Sequence, residues 1–430
     1  METTLSLDAG QAALVLSALS SFAGQPGLAS DQAKRLAGHV AFSDDAGAPA
    51  VVAWRSLDAA VRVAFQPGTA VGRLDPTVSV SAQWLARAAV LAKDVGAQKL
   101  SLSYDEPSGT LTVSADTREL GSAQVTTGVA DPFSWSAPGQ AVAEISTEVL
   151  ASALGRAVIA ALHQDQLQQC HSFAIVEHEG HPTLLATNSY IAISQSLAPQ
   201  CLAEGWEAHF SSPKIVRAAL QLVKTHLGTS VHLHLSSGVA YIAGAGAVVA
   251  TRLDASPSSV LGAIPGVFAG LPAATAEVAV PASVGVKWSR ILAGTGESIV
   301  FSVEPAGCAI SSAKPRAANE GETLRVPRGV LASSGLAQAA IPAQMWLRAI
   351  NAMARKPAVA NVTRDAADAT PDDEQGDDSG SIRVALTSWQ ADHSVLGFLM
   401  TRAEEPGLQL YAAGQTVTAV IPRQAAPVAA

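Results

Sequence analysis

Residues able to do chemistry are few in this chain, and most of them lead nowhere. His232 and His234 alternate onto one face of a strand, and Cys170, His171, His178 and His181 fall within one hairpin, so a metal site is conceivable. Their spacings match no established zinc pattern, and scattered histidines are usually satisfied locally, so no metal is expected. The stretch GAGAVV (244–249) is not GxGxxG, no GxxxxGK[ST] occurs and no G-x-S-x-G elbow is present, so neither nucleotide cradling nor a serine nucleophile has support. With no convergent acid–base pair, a hydrolase or transferase is the remotest reading, and neither catalysis nor a cofactor is expected.

The basic residues are more informative. Arg87, Lys93, Arg156, Lys214, Arg217, Lys224, Lys287, Arg290, Arg348, Arg355 and Lys356 lie on six helix-like stretches, where beyond the caps they face only Asp94 and Glu148. Lys and Arg are good helix formers, and any one of them could simply be a solvated side chain. Eleven bases against two acids, in a chain whose formal charge is −9, mean that charge is sorted by surface, as expected where one face meets phosphates.

Those bases are positioned by one repeated element. EISTEVLASALGRAVIAALHQDQLQQ (144–169) opens as a short extended piece and passes through a polar start at Ser146, Thr147 and Glu148. It then carries Val149, Leu150, Leu154, Val158, Ile159 and Leu162 at helical spacing. The same grammar recurs from Leu5, Val78, Ala208, Val278 and Ala339, giving six copies with helix starts near 8, 81, 146, 211, 281 and 341. Ser or Asp caps the first turn, and Pro is tolerated there because its missing N–H costs nothing. Trp84, Trp288 and Trp346 fall at apolar helical positions and read as core.

Alternating runs follow each helix: RLAGHVAFSD, APAVVAWRS and AAVRVAFQP in the first copy; KLSLSYDE, GTLTVSAD and LGSAQVTTG in the second. HSFAIVEH, PTLLATN and IAISQSL follow in the third; VHLHLSS, VAYIAGAG and AVVATRLD in the fourth. The fold class is therefore α+β, with helices on one face and antiparallel sheets on the other. A unit that cannot cover its own face pairs with a neighbour, giving three tandem domains, 1–139, 140–271 and 272–430, each a duplicated strand-helix-three-strand unit. Boundaries fall at WSAPGQ and GLPAAT. The last unit is irregular: an acidic insertion at about 357–380 is followed by IRVALTS, SVLGFLMTR, GLQLYAAG and TVTAVIPR, one strand too many.

Composition agrees. With 430 residues, 48% hydrophobic and 15% charged, the chain suits several packed domains rather than disorder. Asp365, Asp368, Asp372, Asp373, Glu374, Asp377 and Asp378 lie in a stretch free of Lys and Arg, and without it the net charge is −2 instead of −9. That stretch lacks the ligand spacing of a calcium loop and reads as a solvated insertion. Cys170, Cys201 and Cys308 are odd in number and scattered, which fits free thiols in a reducing compartment. Neither a signal peptide nor a membrane span is expected, and the default compartment is cytoplasmic.

Taken together and in order, these segments resemble the bacterial sliding clamps, the beta subunits of DNA polymerase III, over essentially the whole length. His163-Gln164-Asp165 follow the first helix of the central domain, and LLATNSYIAI (184–193) stands where the family carries Ala-Thr-Asp-Gly-x-Arg-Leu. SPKIVRAALQLVK (212–224), TRLDASP (251–257), Ile264-Pro265 and AVIPRQ (419–424) then follow in the expected sequence. The resemblance implies a homodimeric ring closed head to tail around double-stranded DNA. Such a ring acts as a non-catalytic processivity factor that tethers the replicative polymerase without reading sequence. It adds His163 and Gln164 to the DNA-facing residues. It also implies a groove in which the polymerase catalytic subunit and the clamp loader place short peptides, walled by Cys170, Thr187, Ser189, Ile191, Ala192, Pro265, Ile421, Pro422 and Arg423.

The chain departs from the family within that groove. Asn188, Ser189 and Ile191 replace the Asp-Gly and the Arg, and the following Leu falls on Ala192; Gln25 stands where a DNA-touching Arg is common, and Gln168 and Gln169 where tyrosines are expected. The departures leave an alternative reading: a clamp-fold interaction scaffold or secondary clamp paralogue that does not encircle DNA.

Overall fold

A computed structural model describes residues 2–23, 31–36, 38–43, 49–74, 78–126, 133, 139–161, 172–188, 190–197, 199–210, 212–255, 259–305, 307–315, 323–326, 330–333, 337–355, 380–388 and 396–414. Among these residues the helices are α1 (Ala9–Phe22), α2 (Asp31–Leu36), α3 (Ala82–Asp94), α4 (Thr147–Ala161), α5 (Pro213–Leu227), α6 (Ser259–Ala269), α7 (Ala282–Thr295) and α8 (Ala343–Met353). Six of them begin within two residues of the repeat starts, for the chemical reason anticipated. Asp8 accepts from the Gln11 amide at 2.8 Å, while Ser81 and Ser212 accept from Trp84 and Ile215, each at 3.4 Å. Pro213 occupies the first turn of α5, and Pro281 and Pro342 stand at the N-caps of α7 and α8 without a side-chain bond.

Two helices were not anticipated. Arg35-Leu36, read as the start of a strand, close the short α2, and the strand begins only at His39. Ile264-Pro265, given no secondary structure in the sequence reading, lie inside α6, whose eleven residues SVLGAIPGVFA carry no charge. The fifth repeat, for which no strands were read, supplies the hairpin Gly296–Glu304 and Gly307–Pro315. TVTAVIPR and the acidic stretch lie outside the described residues apart from Gly380, whose carbonyl accepts from the first amide of α7.

The chain divides into two compact units, one of Met1–Thr147 with Pro199–Ala255, the other of Glu148–Ala198 with Ser256–Ala430. The central sequence third thus contributes to both. In the first unit, a five-stranded antiparallel sheet runs Ala70–Gly72, Glu2–Asp8, Lys99–Asp105, Thr110–Ala115, Arg118–Gln124. A longer sheet joins chain segments far apart in sequence, because Ala247–Arg252 pairs with Ala59–Ala64, Val249 opposite Val61. Helices α1 and α3 pack together, and α5 lies on those two joined strands.

In the second unit the long sheet includes Ser172–His178, His181–Thr187, Ile191–Ser196, Glu405–Ala413, Leu396–Arg402, Ser381–Ser388, Ala276–Pro281 and Val330–Ser333, in that order. Here too a distant pair joins the halves, Ile193 opposite Leu410. Its core gathers beneath α7 and α8 around Phe301, Trp346 and Phe398, with ring centroids 4.6 to 5.9 Å apart. Burying each such ring contributes about 2 kcal/mol. The Trp346 indole donates to Ser289 Oγ at 2.7 Å, which satisfies the one polar atom the ring brings inside. Gly285 of α7 lets that helix close on Val280, which a Cβ there would crowd.

Candidate nucleic-acid interface and peptide groove

In the first unit, α5 presents the clearest basic stripe. Its buried side is Val216, Ala219, Leu220, Val223 and Leu227, so Lys214 and Lys224 project as exposed cations with the half-buried Arg217 on the same side. At 1.5 Å per residue the stripe is about 15 Å long. The C-terminal turn of α5 explains GAGAVV. Ala245 and Gly246 amides donate to the carbonyls of Leu227 and His226 at 3.1 and 2.8 Å, and a Cβ on Gly244 would strike the Leu227 backbone. Those glycines cap a helix rather than a phosphate. Burial lowers the pKa of His226 there, so the ring adds no charge to the stripe at neutral pH.

Arg87 and Lys93 are exposed on α3, where a groove shared with α1 sets Ser17, Ser20 and Gln83 beside Arg87. The α1 helix itself carries no charged residue. In the second unit, Lys287 and Arg290 are exposed on α7, while Arg348 on α8 and Arg355 just beyond it are half-buried.

Arg156 is a correction. Spaced like a surface base on α4, it is fully buried, its guanidinium making five hydrogen bonds. Nε donates to the Ala352 carbonyl at 3.3 Å, Nη1 to Gln195 Oε1 at 3.0 Å and Glu405 Oε1 at 2.9 Å, and Nη2 to the Arg355 carbonyl at 3.0 Å and Glu405 Oε2 at 2.6 Å. Desolvation lowers its pKa while the bidentate Glu405 opposes that shift. No donor is left for a phosphate. Of the twelve DNA-facing candidates, six are therefore exposed and three half-buried; His163 and Gln164 lie outside the described residues.

The groove candidates divide likewise. Ile191 is fully buried in the core beneath α7 and α8, so it is no groove wall. Successive strand residues point to opposite faces, and Ala192 turns the other way. It packs in a separate cluster with Ala174, Val176, Leu185 and, from α6, Leu261, Ile264 and Phe268. Thr187 is buried opposite Ala192, and Pro265 is half-buried on α6. Cys170, Ser189, Ile421, Pro422 and Arg423 lie outside the described residues. Asn188 shows what becomes of the family's Asp: its Oδ1 accepts from the amides of Tyr190 and Ile191 at 3.1 and 2.8 Å. An Asx turn needs only that oxygen, which Asn and Asp share. Its Nδ2 is buried without a partner.

Among the described residues no three of His, Cys, Asp and Glu gather as a ligand set, and His232 and His234 stand 6.5 Å apart, ring to ring. Burial pushes the Cys308 thiol up to about 11, so it is no nucleophile.

No protein-family model matches the sequence, and no curated protein matches it. Solved structures do. A DnaN sliding clamp (DNA polymerase III subunit beta) from Pseudomonas aeruginosa bound to griselimycin superposes with a TM-score of 0.72 at 12% identity, covering 97% of this chain and 100% of that one. The DNA polymerase sliding clamp of Bacillus subtilis gives 0.71 at 11%, covering 97% and 100%; the DNA polymerase III beta subunit of Thermotoga maritima gives 0.67 at 14%, covering 96% and 100%. The fold is that of a bacterial sliding clamp. Within the clamp fold the six repeat helices were legible from capping and periodicity, but the buried Arg156 junction and α6 were not. A base at the right helical phase looks the same in sequence whether it meets water or a carboxylate.

Proposed function

We propose that this chain is a sliding clamp that closes head to tail as a homodimer around duplex DNA and tethers a DNA polymerase without enzymatic activity of its own. What carries the reading is the fold's coverage of the whole chain together with the exposed Lys214, Lys224, Lys287 and Arg290 on repeat helices. Such bases make salt-sensitive contacts to phosphates and need no base readout, which suits sliding. Ring closure would use sheet edges: Arg118–Gln124 ends the five-stranded sheet of one unit, and Thr323–Val326 ends the small sheet of the other. An edge strand offers a row of N–H and C=O groups to a second chain. The polymerase subunit and the loader would dock short peptides beside α6, at Thr187, Ala192 and Pro265, and the cytoplasm is the compartment this work requires.

Retention on nicked circular against linear duplex, with solution mass, tests the reading. A dimer held on the circle and lost from the line is expected; a monomer that treats both alike refutes it. The second reading, a clamp-fold scaffold that does not encircle DNA, draws on α1 and α4, which among the described residues present no exposed base.

A further inference from the structure

Two of the five Arg156 bonds reach one place, the C-terminal end of α8. That helix ends at Met353, and its last carbonyls have no partners within the helix. Arg156 of α4 takes those of Ala352 and Arg355. Arg402, also buried, takes Met353 at 3.0 Å and Arg355 at 2.8 Å, while its Nε reaches Glu404 at 3.4 Å. The Arg355 carbonyl thus receives two guanidinium groups from two distant parts of the chain. Its side chain is set as well, because the guanidinium lies over Gly155 of α4, where a Cβ would collide with Nη1.

We propose that Arg156 and Arg402 are positioning residues for phosphate contact: they seat the end of α8 on α4 and hold the Arg355 guanidinium on the glycine ledge at 155, where it meets a phosphate of the bound duplex. The proposal rests on the clamp reading. Neither arginine touches the phosphate; one charge inside the junction neutralises each carboxylate, and the backbone they hold carries the cation that does. Glycine at 155 follows from the same arrangement, since any side chain there would displace Arg355.

The test is the salt dependence of equilibrium binding to a short duplex oligonucleotide, with amide hydrogen exchange on the same proteins. R355Q should reduce the slope of log K against log salt by about 0.9, the loss of one phosphate contact. R156M should reduce it by the same amount and raise exchange at the end of α8, and R156M with R355Q should show no further loss. If R156M fails to fold, G155A serves instead, since it keeps all five Arg156 bonds and puts a methyl group where the guanidinium lies; the same loss of slope is expected. A wild-type slope in R355Q, or in folded R156M or G155A, overturns the proposal. Absence of any salt-dependent binding by the wild-type chain would instead refute the clamp reading itself.

Discussion

Asn188 and His226 show how single residues decide local behaviour. The Asn188 carboxamide holds two backbone amides at the turn into Ile191–Ser196, and removing it leaves the part-buried Tyr190 donor and the buried Ile191 donor without that acceptor. N188A should therefore cost about 1 to 3 kcal/mol in urea unfolding. His226 makes stability depend on pH. Its folded pKa lies below the unfolded value of about 6.5, so below that pH the unfolded chain takes up a proton that the native ring resists. The stabilising contribution is complete above about 6.5 and is lost as pH falls toward the folded value. H226Q should flatten that part of the profile, seen as thermal midpoints from pH 7.5 to 5. From sequence, Arg156 and Lys214 are equivalent bases on equivalent helices; what separates them is Glu405, which lies 249 residues from Arg156 along the chain, a pairing no local pattern reveals.

At the scale of elements, the repeat helices were the most legible part, because Asp8, Ser81 and Ser212 announce their own caps and the apolar phase of each helix matches what it buries. The charge-free α6 was illegible for the converse reason: a proline and two glycines argue against a helix that packing against Ala174, Val176 and Leu185 nevertheless stabilises. The α5 stripe supports a direct test. Reversing the exposed Lys214 and Lys224, with Arg290 on α7, to Glu should abolish retention on nicked circles. The thermal midpoint should move little, because exposed helix charges contribute at most a few tenths of a kcal/mol each. Its C-terminal cap supports another. G244A drives a methyl group into the Leu227 backbone and should destabilise by about 1 to 3 kcal/mol, the usual cost of overpacking, as measured by chemical denaturation.

For the molecule as a whole, the clamp fold persists at identities of 8 to 14% to the solved clamps described above and their like, so what is retained is pattern: polar start, apolar helix phase, alternating strands. Net charge belongs to this scale too. Replacing 357–379 with a short neutral linker would spare the Gly380 carbonyl bonded to α7 and remove seven acids and Arg364, taking the formal charge from −9 to −3. The fold should survive, and binding to duplex should tighten most at low salt, which anisotropy across a salt series would register. Strand pairing does not respect the three thirds expected from the sequence. Ala247–Arg252 lies against Ala59–Ala64, and Ile191–Ser196 against Glu405–Ala413, so the central third is zipped into a neighbour on each side. Excised as 140–271, it would bare two long apolar seams at once and should precipitate, whereas a version cut through the middle third and co-expressed as interlocking halves would leave both seams closed.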